Sequence, residues 1–493
     1  MIFGKITPEA AGIESKHVYN YVSALERHGC TTHSLLLLKG NDIFAEYYWA
    51  PFNEDSLHRM YSQTKSYVSI AIGLLEEEGK LSINDRIIDH FPEKIDTEVP
   101  EYLRDQTIRD MLMMSTSLVA PYWFHTANHD RTHEYLNQSD VKRPSGTLWE
   151  YDSPGSQVMS SLVEKITGMS LLDYLKKKIF NEIGSFKTAR VLKSRNDDSW
   201  GDSALLCTTR DMASCARFVM NYGTWGGKRL MNEKYLREAT ARQCDNSDDW
   251  YDACFRYGYG YQIWKTAEDG FAFVGMGDQL TVALPYKDLI MVITSDNQFS
   301  PATRELIVDY FFDYIAANVG NEPKEENKED AERLKSLTDN LKLRIVDGAT
   351  DSPITAKISG KRFACEENPM GISEFSLTFN GDEGELRYVN AQGEKELPFG
   401  LGKNVISRFP QLGYSTEHGG LRTTDGSTYR CATSAAFREE NKLLMRCHII
   451  DNYLGNMTAI FSFKGDKAVL RMVSNAEDFM QEYKGETVAT LAD

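Results

Sequence analysis

Ser62-Gln63-Thr64-Lys65 sets a hydroxyl and an amine three residues apart. On a helix that spacing puts both groups on one face, about one turn apart. A lysine so placed can take the proton from a nucleophilic serine, and the helix N-terminus offers the Ser62 backbone N–H to an oxyanion. The same four residues also suit an N-cap serine followed by a solvent-facing lysine. A chain of 493 residues holds roughly one or two Ser-x-x-Lys patterns by chance. Context separates the two. Ser66, Ser69 and Gly73 are small, so the amphipathic helix that follows can pack closely and lie centrally. A lysine near the start of a buried helix needs a partner for its charge.

Two further segments carry chemistry-bearing residues. Tyr151-Asp152-Ser153 follows Pro144-Ser145-Gly146-Thr147-Leu148-Trp149-Glu150. A tyrosine beside cationic groups can act as phenolate, which makes Tyr151 a candidate general base in acylation and acid toward a leaving group. A packed tyrosine in a polar turn fits the same residues. Phe273-Val274-Gly275-Met276-Gly277-Asp278-Gln279 reads as a strand end. Gly275 would let a substrate approach the strand edge, and the Met276 backbone N–H could complete an oxyanion hole. An ordinary glycine-containing turn fits as well. Ser295-Asp296-Asn297 reads as a strand end and Lys265-Thr266-Ala267 as a hairpin turn. His125, His129 and His133 recur at i, i+4 and i+8 without an evident fourth ligand. They read as a polar loop over the cleft, with Tyr122 and Trp123 as candidate substrate contacts, and no metal is assigned.

The elements that would position these groups follow from periodicity and turn chemistry. A helix is expected at 13–28, then strands 34–38 and 43–49 joined by a turn at Gly40-Asn41. The segment 63–78 is helical and stops at Gly79. Helical patterns recur near 107–114, 155–167, 170–181, 208–221 and 232–241. Strands are expected at 257–264, 270–275, 280–285 and 288–295, with a helix at 301–317. Residues 1–320 thus read as one unit, an antiparallel sheet flanked by helices. The charged, proline-interrupted stretch at 321–342 reads as a linker with a short helix. Residues 343–493 alternate in short runs between turns such as Asn380-Gly381-Asp382, as a smaller antiparallel β-rich, barrel-like domain would.

Composition bounds the partners. The net charge of −17 argues against nucleic acid, which needs a concentrated basic surface, and against a polybasic membrane anchor. No apolar run approaches the length of about 18 residues that a spanning helix needs. The N-terminus shows no signal-peptide pattern. Eight dispersed cysteines without a CxxC pair fit a reducing compartment, so a cytoplasmic location is expected.

The three segments, in this order, resemble the serine β-lactamase-like, penicillin-binding-protein-fold family. The likeness is to its branch of class C β-lactamases, DD-peptidases, esterases and 6-aminohexanoate-dimer hydrolases. Leu75-Glu76-Glu77-Glu78-Gly79-Lys80-Leu81 with Phe91-Pro92-Glu93, Thr107-Ile108-Arg109-Asp110-Met111-Leu112, Thr208-Thr209-Arg210-Asp211-Met212-Ala213 and Tyr257-Gly258-Tyr259-Gly260-Tyr261-Gln262 extend the likeness through most of 1–317. The resemblance implies an α/β (α+β) sandwich in which Ser62 is acylated, Lys65 is its partner and Tyr151 the second base. Ser153 takes the last position of the Tyr-x-Asn/Ser motif, and the N–H groups of Ser62 and Met276 bind the oxyanion. One departure matters: with Gly275 on the motif glycine, Phe273 stands where the family carries Lys or His, which counts against β-lactamase and carboxypeptidase activity. The expectation is a cofactor-free serine hydrolase acting through an acyl-enzyme on a small ester or amide. β-Lactamase or D-amino-acid peptidase activity, acyl transfer and a non-catalytic binding role are the alternatives, and a homo-oligomer stays open.

Overall fold

A computed structural model describes residues 2–118, 129–248, 252–298, 300, 302–419, 425–476 and 480–492. Its organising element is a seven-stranded sheet. Strands Thr32–Lys39 and Asp42–Tyr48 form the expected hairpin, and Phe271–Gly275, Gln279–Leu284 and Leu289–Ser295 form the expected meander. The two pieces join where Thr32–Lys39 pairs antiparallel with Leu289–Ser295, in the register Leu36↔Val292 and Leu38↔Ile290. Gly4–Lys5 adds a parallel edge strand beside Asp42–Tyr48, and Trp264–Lys265 closes the opposite edge.

Helices cover both faces, which is why the central strands read as unbroken apolar runs. Leu36, Leu38, Ile290 and Val292 face one core, shared with Tyr67, Ile70 and Leu74 of the helix Thr64–Glu77. Leu35, Leu37, Met291 and Ile293 face the other, against Val18, Val22 and Leu25 of Ser15–Arg27 and Ile307, Phe311 and Ile315 near the end of the unit. The alternation along each strand sends neighbouring residues into different cores. Thr64–Glu77 differs from its sequence reading in one respect. It is buried from Thr64 to Leu75 on every face rather than amphipathic, because it runs between the sheet and the helices of the middle region. Gly73 permits this: an added Cβ there would lie 2.4 Å from the Tyr235 ring.

The middle helices form close to where turn chemistry places them. Thr107 and Asp110 make a capping box for Ile108–Leu112, and Thr208 and Asp211 one for Thr209–Met220. The expected strand at 257–264 is the exception, since only Trp264–Lys265 forms a strand there, with Tyr259 in isolated bridges to Cys244 and Trp264. Gly258 (φ +113°) and Gln262 (φ +57°) turn the backbone out of an extended path.

By internal contacts the chain divides into residues 1–342 with 417–420, and residues 343–416 with 421–493. The helix Lys328–Thr338 belongs to the first unit, where Leu334 joins the core beside Ser15–Arg27. In the second unit nine strands, antiparallel except at one parallel seam, close into a barrel among the described residues. Gly393–Leu401 pairs with Thr428–Glu439 at Gly400↔Ser434 and Leu401↔Ala435, and Val405–Leu412 adds to the seam. Alternate residues such as Leu443, Met445, Cys447 and Ile449 fill the interior.

Candidate active site

Ser62 lies in a single 3-10 turn, Tyr61–Gln63, that feeds directly into the helix Thr64–Glu77. Tyr61 holds φ +47°, a left-handed conformation that costs a non-glycine residue energy and persists only where its surroundings enforce it. The surroundings here are specific. Met60 N–H donates to Leu205 O at 2.8 Å, and Leu205 N–H donates to Thr64 Oγ1 at 3.2 Å. Thr281 Oγ1–H of the central sheet donates to Gln63 Oε1 at 3.3 Å. The Arg59 guanidinium sits 4.4 Å above the Tyr61 ring.

Lys65 is 2% exposed. Its Nζ donates to Ser62 Oγ at 3.0 Å and to the backbone carbonyl of Asp202 at 2.7 Å. The solvent-facing alternative for this lysine is therefore replaced by a buried, hydrogen-bonded one. The Tyr151 ring centroid is 5.2 Å from Lys65 Nζ. That ring is fixed by near-parallel stacking on Trp264, with centroids 5.9 Å apart, and by Trp149. Asp152 caps the helix Ser153–Thr167 by accepting from Gly155 N–H, and it accepts from Tyr135 Oη–H at 2.8 Å. Burial pushes the Asp152 carboxyl upward, against those hydrogen bonds and the Lys65 charge. Ser153 is the first residue of that helix and is largely buried.

Gly275 ends the strand Phe271–Gly275 directly against the turn that carries Ser62. An added Cβ would lie 2.1 Å from Met60 O, so only glycine allows this approach. Met276 follows at 37% exposed, the first open position after a wholly buried strand. The turn after it is held from below: Gln279 Nε2–H donates to Met276 O at 3.1 Å and to Ser295 O at 2.6 Å. Buried Asp278 accepts from Asn297 Nδ2, Thr303 Oγ1 and Arg304 Nε at 2.8–3.1 Å. Ser295-Asp296-Asn297 is thus a strand end that braces this turn.

Phe273 explains the missing basic residue. It is fully buried on the face that packs against the helix Thr64–Glu77, 6.3 Å from the Tyr67 ring and 5.8 Å from Phe271. A cation at that position would be desolvated among apolar groups. Lys265 does not replace it, since its Nζ is tied to Asp269 Oδ1 at 2.7 Å within its own turn.

Tyr122, Trp123 and His125 lie outside the described residues. His133 Nε2 is bonded to Asp96 Oδ2 at 2.6 Å. Among the described residues no three His, Cys, Asp or Glu side chains are grouped to hold a metal ion.

Sequence reasoning missed the segment around Asp202. Its carbonyl reaches Lys65 from 137 residues away, and no spacing rule connects the two. Arg59, Arg131 and Trp200, which surround it, were missed for the same reason.

With this geometry in place, comparison with known proteins is informative. The Beta-lactamase family model matches residues 20–309. The chain is similar to the 6-aminohexanoate-dimer hydrolase of Paenarthrobacter ureafaciens, at 23% identity over 266 residues, 50% of this chain and 67% of that protein. It is also similar to penicillin-binding protein 4* of Bacillus subtilis strain 168, at 27% identity over 199 residues, 36% of this chain and 42% of that protein. A penicillin-binding protein homologue from Caulobacter crescentus superposes with a TM-score of 0.50 at 13% identity, covering 61% of this chain and 98% of that one. That last likeness is one of fold.

Proposed function

The chain belongs to the Beta-lactamase family of hydrolases, and from that premise we propose that it is a serine hydrolase working through an acyl-enzyme on a small ester or linear amide. The observation that carries the proposal is the 3.0 Å contact between Lys65 Nζ and Ser62 Oγ in a buried setting. With Lys65 uncharged, the contact runs in reverse: Ser62 Oγ–H donates to the Nζ lone pair while Nζ–H still donates to Asp202 O. Ser62 Oγ then bonds to the carbonyl carbon and its proton passes to Lys65. The carbonyl oxygen gains negative charge between the backbone N–H groups of Ser62 and Met276. Tyr151, against Lys65, passes a proton to the departing alkoxide or amine as the C–O or C–N bond breaks. Water attacks the ester at Ser62 by the same route in reverse and frees the acid.

The substrate preference rests on Phe273. The strand position where the resemblance places a carboxylate-binding cation is apolar and buried, so a β-lactam carboxylate lacks that partner. An ester or amide without a carboxylate does not need it, and the relative named for the 6-aminohexanoate dimer supports the amide arm.

Labelling with a fluorophosphonate followed by peptide mapping should mark Ser62 and disappear in Ser62→Ala. Absence of labelling by any acylating probe would assign the chain to the binding-protein alternative. Turnover of a short-chain p-nitrophenyl ester and of the 6-aminohexanoate dimer should exceed that of nitrocefin. Fast nitrocefin hydrolysis would overturn the substrate reading while leaving the acyl-enzyme intact.

A further inference from the structure

The carbonyl that receives Lys65 sits in a turn clamped by charge. Asp202 is 3% exposed, and its carboxylate lies 3.9 Å from Arg131 Nη1, both side chains 4% exposed. Arg131 stacks on Trp200 at 5.2 Å, and Arg59 stacks on the same indole at 4.3 Å. Arg59 Nε–H also donates to Ser203 O at 2.9 Å. Gln157 holds the other side, donating to Ser199 O and accepting from Gly201 N–H, each at 2.9 Å. Gly201 is forced by Ser160, whose Oγ would lie 2.1 Å from an added Cβ. Two buried guanidinium groups thus stack on one indole, that of Trp200, two residues before the acceptor of the Lys65 amine.

We infer that Arg131 and Asp202 are a positioning pair that sets the charge state of Lys65 as well as its place. The inference rests on the acyl-enzyme reading of Ser62 and Lys65. Lys65 must lose a proton before it can accept one from Ser62, and a cation nearby disfavours its charged form while a carboxylate favours it. Against Lys65 lie Tyr151 and Asp152, which precede the helix Ser153–Thr167, and Asp202, whose carbonyl takes its amine. The pair's other member, Arg131 at the start of the helix Arg131–Leu136, has Asp202, Asp198, Arg195 and Arg59 as its charged neighbours. Asp198 is held by Ser161, Ser194 and Gln157. Burial brings the Arg131 guanidinium down to about 10, against the pull of Asp202 and Asp198. Arg131 remains a cation at neutral pH, and removing either member of the pair changes the charge facing Lys65 with opposite sign.

The test is the pH dependence of Ser62 phosphonylation by a fluorophosphonate, in which Oγ bonds to phosphorus and fluoride leaves, in the full chain, with thermal melts as a check on folding. In Arg131→Gln the acid limb should move to higher pH, on the order of one unit, and Arg131→Lys should bring it back. In Asp202→Asn the backbone carbonyl stays but the carboxylate charge goes, so the limb should move to lower pH. Limbs that stay fixed while rates fall, or that move in the same direction in both variants, would overturn the inference and leave a merely structural pair. If Arg131→Gln does not fold, the direction in Asp202→Asn decides alone. Absence of labelling in the unmodified protein would overturn the acyl-enzyme reading, and this inference with it.

Discussion

An ammonium taken from water costs several kcal/mol unless its donors are satisfied, and Lys65 satisfies its own on Ser62 Oγ and Asp202 O. That cost is the reason a lysine at this position carries information. Truncating it to methionine should keep the fold and cut acylation by at least about 10²–10⁴-fold, read as the second-order rate of probe labelling. Tyr151→Phe removes only the phenolic oxygen and keeps the stacking on Trp264. Its melting temperature should stay within a few degrees of the parent while acylation falls by about 10²-fold or more. An unchanged rate would remove Tyr151 from the proton path. Ser62 and Lys65 stand out as a candidate pair by residue type and spacing, and Tyr151 is singled out by the motif order that the resemblance adds. Asp202 could not be singled out in this way, since it acts through a carbonyl that every residue possesses.

At the scale of elements, the site depends on how closely one strand end approaches one helix start. Gly275 is where they meet, so Gly275→Ala would drive a methyl into Met60 O. A loss of about 1–3 kcal/mol is expected from such overpacking, together with a fall in acylation, because the displaced backbone includes the Met276 N–H. Denaturant unfolding with parallel labelling would separate the two effects. The helix Thr64–Glu77 is anchored by core packing: Ile72 is fully buried, and Ile72→Ala should cost about 2–5 kcal/mol by the same unfolding measurement. Helix starts were legible because capping pairs such as Thr107 with Asp110 leave a mark in the chain. The irregular path at 257–263 was not, because tyrosines spaced by glycines look like a strand until Gly258 and Gln262 are seen at positive φ.

Across the whole molecule, two buried histidines tie stability to acid. His58 touches His33, Nε2 to Nδ1 at 3.1 Å, two residues before Met60, and burial pushes it down to about 4 against a hydrogen bond it donates to the Ser56 backbone. In the barrel, burial and then Arg446 and Arg344 push His448 down to about 3. Both folded values lie below the unfolded one of about 6.5. The unfolded chain therefore binds protons first, and stability is full above about 6.5 and falls as the pH drops toward 4 and 3. Melting temperature should decline over that window, and His58→Gln should lessen the decline; an unchanged slope would remove His58 as a cause. The Beta-lactamase family, the two-unit organisation and the helix-flanked sheet could be anticipated from the chain alone, because hydrophobic period, turn residues and motif order are local and additive. The buried hydrogen bonds of Lys65, the burial of Phe273 where the family carries a cation and the clamp of Arg59, Arg131 and Asp202 were decided only by tertiary structure. Each rests on contacts between segments far apart in sequence, and its energy comes from desolvation and proximity, which no local pattern encodes.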